Sequence, residues 1–196
     1  LGAPTEVWGS SNGFGRDHAE RVSWPSVETV HYTFGRGGRP PVTVTRYDGG
    51  LLPPRPHPLP PDVPLVRTLG PDEDGPAPSS GGAIWVGDEG VLMHDTYGRN
   101  PRLYPTELEA TAADAPQRLP RIDTSHQMNW VEACKGRAVA SCPFDYAAPL
   151  TETLLLGSVA LQAGVPLRYD PRSMTIPNAP AAEPYLRRDA RGEWSL

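Results

Sequence analysis

Ser11 is the first residue whose surroundings suggest catalytic chemistry. It stands in Gly9–Gly13 (GSSNG), which fits the G-x-S-x-G pattern of a nucleophilic serine at a sharp turn between a strand and a helix. Thr5–Trp8 is a candidate for that strand, but Phe14–Asp17 is a poor helix start. Because serine, glycine and asparagine are ordinary loop residues, the preferred interpretation is a loop without catalytic function.

The histidines form a second group of candidates. The chain has five, and none has the spacing of a zinc site. His94 precedes Asp95 at the predicted end of a strand, where both side chains could line a cleft. His126 is predicted in the first turn of a helix, where free N–H groups favour anions. For both histidines, a hydrogen-bonded structural role is the preferred alternative.

Three further motifs have a functional and a structural interpretation. Arg55–Pro61 (RPHPLPP) fits the basic-plus-PxxP pattern of an SH3 ligand, with a stiff loop on its own domain as the preferred alternative. Cys134 and Cys142 are predicted to be buried, reduced thiols. Asp145 is predicted to cap a helix, and a ligand-binding role is the alternative.

These residues must be positioned by helices, and the clearest one covers Pro149–Ala163. Proline suits a first helical position, and Gly164 suits a left-handed cap. The segment is apolar nearly all round, which predicts burial. Gly157 lies inside it and predicts a close approach by another element. A shorter helix precedes it, with Thr124 and Gln127 spaced as a capping box and with Trp130 and Cys134 on its inner face.

Alternating apolar and polar residues predict the strands. Val27–Phe34 and Pro41–Tyr47 read as an antiparallel hairpin, and Ala83–Val86 with Val91–His94, joined by a Gly87–Gly90 turn, as a second. In the first strand, the face predicted to point inward carries Glu28, Val30, Tyr32 and Phe34, and the other face carries Val27, Thr29, His31 and Thr33. The proline-rich stretch at about 51–80 is predicted to be a surface excursion, since proline lacks the donor a strand needs. Further predicted elements are strands at Asn100–Tyr104, Leu167–Asp170 and Met174–Ile176, and a last helix at Ala179–Arg188.

Together these elements predict an α+β fold, with a largely antiparallel or mixed open sheet and helices packed on one face. The high content of proline and glycine, 25 and 20 among 196 residues, argues against a helical bundle.

The composition also excludes several functions. A net charge of −5 provides no broad basic surface for nucleic acid or an anionic membrane. No apolar run approaches the roughly 20 residues that span a bilayer. Two cysteines make no disulfide framework. Neither a G-x-G-x-x-G motif after a strand nor a Walker sequence occurs, so the chain shows no cradle for a nucleotide cofactor.

Several long motifs resemble the C-terminal end of bacterial Gfo/Idh/MocA-type oxidoreductases. In the second half they are the Phe144–Tyr146 turn, Pro149–Glu152 and Gly157. Further matches cover most of the chain: Val42–Pro56, Ile84–Gly98, Trp130, Ala133, Cys134, Asp170, Asn178–Pro180, Arg191, Gly192 and Trp194.

The resemblance implies that residues 1–196 are a single domain of the substrate-binding and dimerising type. Such a domain would belong to an NAD- or NADP-dependent enzyme acting on a sugar or sugar-like polyol, and would form a homo-oligomer through its sheet. Family position makes five residues candidates for the wall of the substrate site: Tyr47, Asp48, Tyr97, His126 and Trp130.

The sequence also departs from the family, because counterparts of its Rossmann half and its principal catalytic residues are not found. The chain starts at Leu1 and is expected to be a fragment or a shortened relative. No catalytic residue, cofactor or metal is therefore assigned to it, and its being an enzyme is left open. The alternatives are a stand-alone carbohydrate-binding or dimerising module, and a glycoside-processing hydrolase or lyase. The compartment, cytoplasmic or exported, is open as well.

Overall fold

The structure, a computed structural model, describes residues 2–13, 24–65, 68–69, 79–187 and 192. Its class is α+β, as predicted, and its strands pair antiparallel in separate sheets of the order β1-β2-β3, β4-β5 and β6-β7-β8. The strands are β1 (Glu6–Ser11), β2 (Glu28–Phe34), β3 (Val42–Asp48), β4 (Thr68–Leu69), β5 (Ser79–Ser80), β6 (Gly82–Val86), β7 (Val91–Asp95) and β8 (Arg102–Tyr104). The α-helices are α1 (Leu108–Ala112), α2 (His126–Cys134) and α3 (Phe144–Ala163), and 3-10 turns cover Thr96–Gly98 and Pro180–Leu186.

The chain divides into two compact units. Unit 1 contains the described residues up to Leu51 and those from Ile122 onward, and unit 2 contains Leu52–Arg121. Each unit has a hydrophobic cluster of its own. That residues 1–196 form a single domain stays a prediction.

The β1–β3 sheet of unit 1 follows from alternation along β2. Val30, Tyr32 and Phe34 are buried on one face, as predicted. Glu28 is buried on the same face, and its carboxylate pairs with the guanidinium of Arg46 on β3. Since successive side chains of a strand point to opposite faces, this pattern aims the β2 core residues toward one layer.

Helix α3 supplies that layer. A Cβ placed on Gly157 would lie 2.2 Å from the Tyr32 hydroxyl, so the predicted close approach is confirmed. Gly164 caps the helix in the left-handed conformation, with φ 66°, as predicted. The predicted start is wrong: α3 begins at Phe144, and Pro149 lies inside it. One missing N–H in a helix of 20 residues is tolerated because tertiary packing stabilises the rest.

The predicted burial of α3 is correct only for its second half. Leu156, Val159 and Leu161 are buried, whereas Leu150, Leu154 and Leu155 remain about half exposed. An all-round apolar surface predicts burial only where neighbouring elements cover it. Here the sheet meets the helix around Gly157 and Leu161.

Helix α2 begins with a different cap and buries a different face than predicted. Ser125, not Thr124, caps it, and its hydroxyl accepts from the Met128 N–H at 3.3 Å. Trp130 and Cys134 are exposed, and Asn129 is the buried residue. Asn129 donates to the Val139 carbonyl and accepts from the Ser141 N–H, and these bonds hold the segment after the helix. The buried side of α2 therefore carries the hydrogen-bonded amide of Asn129, whereas the sequence predicted Trp130 and Cys134 there.

The C-terminal part of unit 1 closes the core. Leu167 and Ile176 are fully buried, but the predicted strands around them are single bridges, Val7 to Leu167 and Asp170 to Thr175. The predicted last helix is a 3-10 helix from Pro180 to Leu186, because Pro184 cannot supply an α-helical N–H donor. Arg188 lies outside the described residues.

Unit 2 contains the predicted second hairpin, which is confirmed as β6 and β7. The strand predicted at Asn100–Tyr104 is confirmed as β8, which pairs with β7. Val91 and Met93 point into its cluster, together with Leu59 of the proline-rich segment. The segment at 52–65 therefore lies partly buried on its own unit. Much of the remainder, up to residue 78, lies outside the described residues.

Candidate functional site

The candidate site is the open face, defined as the face of the β1–β3 sheet turned away from α3. The strand register places Trp8, His31 and Thr45 opposite one another on it. Their neighbours Gly9 and Val30 point the other way, since a Cβ on Gly9 would meet Leu161 of α3 at 2.9 Å. The open face is therefore a surface built by three adjacent strands.

An aromatic stack is its central feature. The rings of Trp8 and His31 lie 3.8 Å apart between centroids, with 15° between their planes. His31 Nδ1 lies 3.0 Å from the hydroxyl oxygen of Thr45, so a hydrogen bond holds the imidazole from the far side. Burial lowers the pKa of His31 below its usual 6.5, which favours the neutral ring at neutral pH. Trp8 thus rests on a fixed, uncharged support.

This pKa shift has a measurable effect on stability. Because the folded pKa of His31 lies below 6.5, the unfolded chain binds a proton there more readily. The contribution of His31 to the free energy of unfolding is constant well above pH 6.5. It declines as the pH falls from 6.5 through the folded pKa, and it levels off below that. We expect His31→Gln to lose less stability between about pH 7.5 and pH 5 than the parent protein. Urea unfolding at both pH values measures this, and equal losses would contradict it.

Two predicted wall residues lie at the end of β3. Tyr47 pairs with Thr29 and belongs to the open face. Asp48 pairs with Glu28 on the opposite face, and its carboxylate accepts from the Gly49 N–H at 2.7 Å. Because adjacent strand residues point in opposite directions, only Tyr47 contributes to the open face.

Two more lie on α2. His126 and Trp130 are four residues apart, and this spacing brings them onto one side of the helix. Trp130 is 60% exposed, so this side of α2 offers an aromatic surface. The side chains of Tyr47, His126 and Trp130 all belong to unit 1.

The fifth predicted wall residue, Tyr97, belongs to unit 2. It sits in the 3-10 turn after β7 with φ 61° and is 86% exposed. Roles for all five residues in substrate binding stay predictions.

The serine motif does not have the geometry of a nucleophile elbow. Gly9–Ser11 continue β1, Ser11 pairs with Glu28, and the Asn12 N–H still bonds to the Val27 carbonyl. An elbow needs the serine at a sharp turn after the strand. The structure therefore favours the structural interpretation of the serine motif.

The His94–Asp95 pair is explained by structural bonds. His94 Nδ1 donates to the Asp95 carbonyl at 2.8 Å, because a carbonyl oxygen only accepts. The buried Asp95 carboxylate accepts from Arg102 at 2.8 Å and from Asn100 at 2.9 Å. These bonds hold the turn between β7 and β8.

The remaining motifs are also accounted for within the chain. Arg55 donates to the carbonyls of Pro60 and Val63, as expected for a loop bound to its own unit. Cys134 and Cys142 are free thiols, but the prediction that they are buried is wrong. Asp145 lies in the first turn of α3, where its negative charge interacts favourably with the helix dipole. Its side chain forms no capping hydrogen bond, so the predicted cap is wrong.

The described residues contain neither a metal-binding cluster nor a membrane-spanning helix. No group of three or more histidine, cysteine, aspartate or glutamate side chains is arranged to hold a metal ion within them. None of the described helices is long and apolar enough to cross a bilayer.

Alternation predicted a common strand face for His31 and Thr29, but neither Trp8 nor Thr45 was predicted as a site residue. The sequence signal for a hydroxyl-bearing sheet face was the occurrence of threonine at alternate positions, Thr29 and Thr33 on β2 and Thr43 and Thr45 on β3. The stack itself depends on which β1 residue lies opposite His31, and alternation alone does not determine that pairing.

The chain was also compared with known proteins. It matches no protein-family model, no curated protein and no solved structure.

Proposed function

We propose that this chain is a sugar-binding and oligomer-forming domain of the type found at the C-terminal end of Gfo/Idh/MocA oxidoreductases. The observation that supports the proposal is the architecture of unit 1. There α3 covers one face of an antiparallel sheet, and the other face carries aromatic and hydroxyl side chains. The resemblance of the sequence motifs predicts a substrate domain with such an open, helix-backed sheet.

The exposed aromatic residues of unit 1 support a sugar-like ligand. Trp8 and Trp130 are each exposed over a large part of their surface, and Tyr47 is half-buried beside its threonine neighbours. An aromatic ring offers an apolar face, whereas a tyrosine or threonine hydroxyl both donates and accepts hydrogen bonds. Sugars present the same combination of C–H patches and hydroxyl groups.

The proposal assigns only the substrate side of the reaction to this chain. The family resemblance implies that NAD or NADP is held by a different domain, so catalytic residues stay unassigned here. We expect calorimetric titration of the chain to show millimolar binding of at least one hexose or cyclic polyol, which corresponds to about −4 kcal/mol. We expect NADH to give no change in nicotinamide fluorescence.

Both titrations bear on the proposal. Micromolar binding of NADH by this chain would overturn the assignment of the cofactor to another domain. Absence of binding across a panel of hexoses and cyclic polyols would overturn the sugar-binding function itself.

The proposed oligomer forms through β3, which lies at the edge of the β1–β3 sheet. The outer side of β1 is bridged by Leu167, whereas β3 pairs only with β2 among the described residues. An unprotected edge strand favours pairing with a second copy across a twofold axis. Val44 on this strand is 41% exposed.

Val44→Lys is expected to convert a dimer into a monomer of 21.2 kDa, because a lysine at a sheet edge opposes pairing. Light scattering after size exclusion measures the mass. Val165→Lys, at an exposed position after α3, is the control and should leave the dimer intact. A monomeric parent protein would contradict the prediction.

A further inference from the structure

We propose that Trp8 and the hydroxyl side chains around it on the open face form a subsite that binds the ring of a pyranose sugar by stacking. The proposal takes its ligand class from the proposed function, whereas the site itself rests on the geometry of three strands. Its central pair, Trp8 and His31, is not among the wall residues that the family resemblance predicts, although Tyr47 on the same face is one of them.

The indole of Trp8 is prepared for stacking. His31 stacks on one face of the indole, with 3.8 Å between the ring centroids, and 40% of Trp8 remains exposed, so the surface left for a ligand lies on the rest of the side chain. Thr45 holds His31 in turn, and this bond restrains the support of the indole. A ring fixed before binding loses little side-chain freedom when a ligand arrives.

Hydroxyl side chains share this face with the indole. Ser10 lies two residues along β1, and Thr29 and Thr33 flank His31 on β2. A threonine or serine hydroxyl can donate or accept, so such a set adapts to the equatorial hydroxyls of a sugar ring. The hydroxyl side chains of the open face are Ser10, Thr29, Thr33, Thr43, Thr45 and Tyr47.

The dimensions of the face favour a small ligand over a protein. Three strands with up to seven residues each measure roughly 14 by 22 Å, or about 300 Å². A stable protein interface needs about 800 Å² from each partner, and its core is usually apolar. The open face is smaller and mostly polar, so its occupant is a single small molecule.

Charge further limits the choice of ligand. Glu6 lies on the open face beside Thr33, the chain carries a net charge of −5, and burial favours a neutral His31. None of these groups attracts phosphate, so a nucleotide stacked on Trp8 would lack a cationic partner among the strand residues that the structure describes on this face. A neutral ring with C–H groups on one face and hydroxyls around it fits the same surface, because the π face of an indole is negative and attracts polarised C–H groups.

The experiment titrates the whole chain with methyl β-galactopyranoside, with the open-chain polyol sorbitol and with adenosine, using calorimetry and amide NMR. We expect the glycoside to bind and to shift the Trp8 indole and Thr45 signals, and sorbitol, which lacks a ring, to bind more weakly. Trp8→Ala should weaken glycoside binding about tenfold or more, whereas Trp8→Phe should retain most of it. Trp85→Ala, which removes an exposed tryptophan of unit 2, should leave it unchanged.

The outcomes separate this proposal from the broader function. Glycoside binding that survives Trp8→Ala but is lost in Trp130→Ala keeps the proposed function and overturns the Trp8 subsite. Equal binding of sorbitol would overturn ring stacking, and tighter binding of adenosine would replace the sugar by a nucleobase. No glycoside binding at all would overturn the subsite, and a negative hexose and polyol panel would overturn the function with it. Circular dichroism of each variant excludes unfolding as the cause of a loss.

Discussion

Replacing Asp95 with alanine is expected to lower the free energy of unfolding of unit 2 by about 3 kcal/mol. Asp95 is 2% exposed, and its carboxylate accepts from Arg102 at 2.8 Å and from Asn100 at 2.9 Å. Removing it leaves the Arg102 guanidinium partly buried without its counter-charge, and the Nε of that side chain already has no hydrogen-bond partner among the described residues. An unpaired charge of this kind costs more than the bond itself contributed.

Hydrogen exchange of the β6–β8 amides measures the loss in the free energy of unfolding of unit 2 that Asp95→Ala causes. Asp88→Ala is the matched control, because Asp88 is exposed in the turn between β6 and β7. Adding Arg102→Met to Asp95→Ala should recover part of the loss, since the uncompensated charge is then gone. A loss no greater than that of Asp88→Ala would show that the ion pair contributes little.

Gly157→Val is expected to destabilise unit 1 by about 2–3 kcal/mol, although glycine is itself unfavourable inside a helix. A Cβ at this position would lie 2.2 Å from the Tyr32 hydroxyl and 3.0 Å from Val30. Tyr32 cannot turn away freely, because it is 2% exposed and its hydroxyl donates to the Leu154 carbonyl. The helix would have to move off the sheet, and the packing of Leu161 would suffer with it.

Urea unfolding compares Gly157→Val with Thr151→Val, which introduces the same side chain at an exposed position of α3. The control is expected to change stability by less than about 0.5 kcal/mol. Gly157→Ala should also destabilise, and the double variant with Tyr32→Phe should recover part of that loss because the clashing oxygen is removed. A stabilising Gly157→Ala would show that α3 lies farther from β2 than the structure has it.

The predicted fold was most accurate where neighbouring residues decide the outcome. Alternation in Val27–Phe34 predicted both the strand and its buried face, and the Gly87–Gly90 turn predicted the second hairpin. The αL cap at Gly164 was predicted from a single residue, because glycine adopts positive φ at little cost. Periods of two residues and turn chemistry are local properties of the chain.

The candidate site was predicted less well, because its central pair comes from different strands. Tyr47 was singled out from family position and lies on the open face, but Trp8 was recognised only as part of a strand. Asn129 shows the same limit on α2, since its partners Val139 and Ser141 lie beyond the helix. Neither the Trp8–His31 stack nor the hydrogen bonds of Asn129 can be predicted from the residues of a single strand or helix.

The sequence by itself determined the α+β class, the two hairpins and the cap of α3, because each depends on residues within a few positions of one another, and Gly157 marked the point where another element comes close. Only the tertiary structure decided which half of α3 is buried and that Trp8 stacks on His31. Both depend on the register and docking of segments distant in the chain. A one-residue slip of β1 against β2 would turn Trp8 toward α3 and remove the open-face stack.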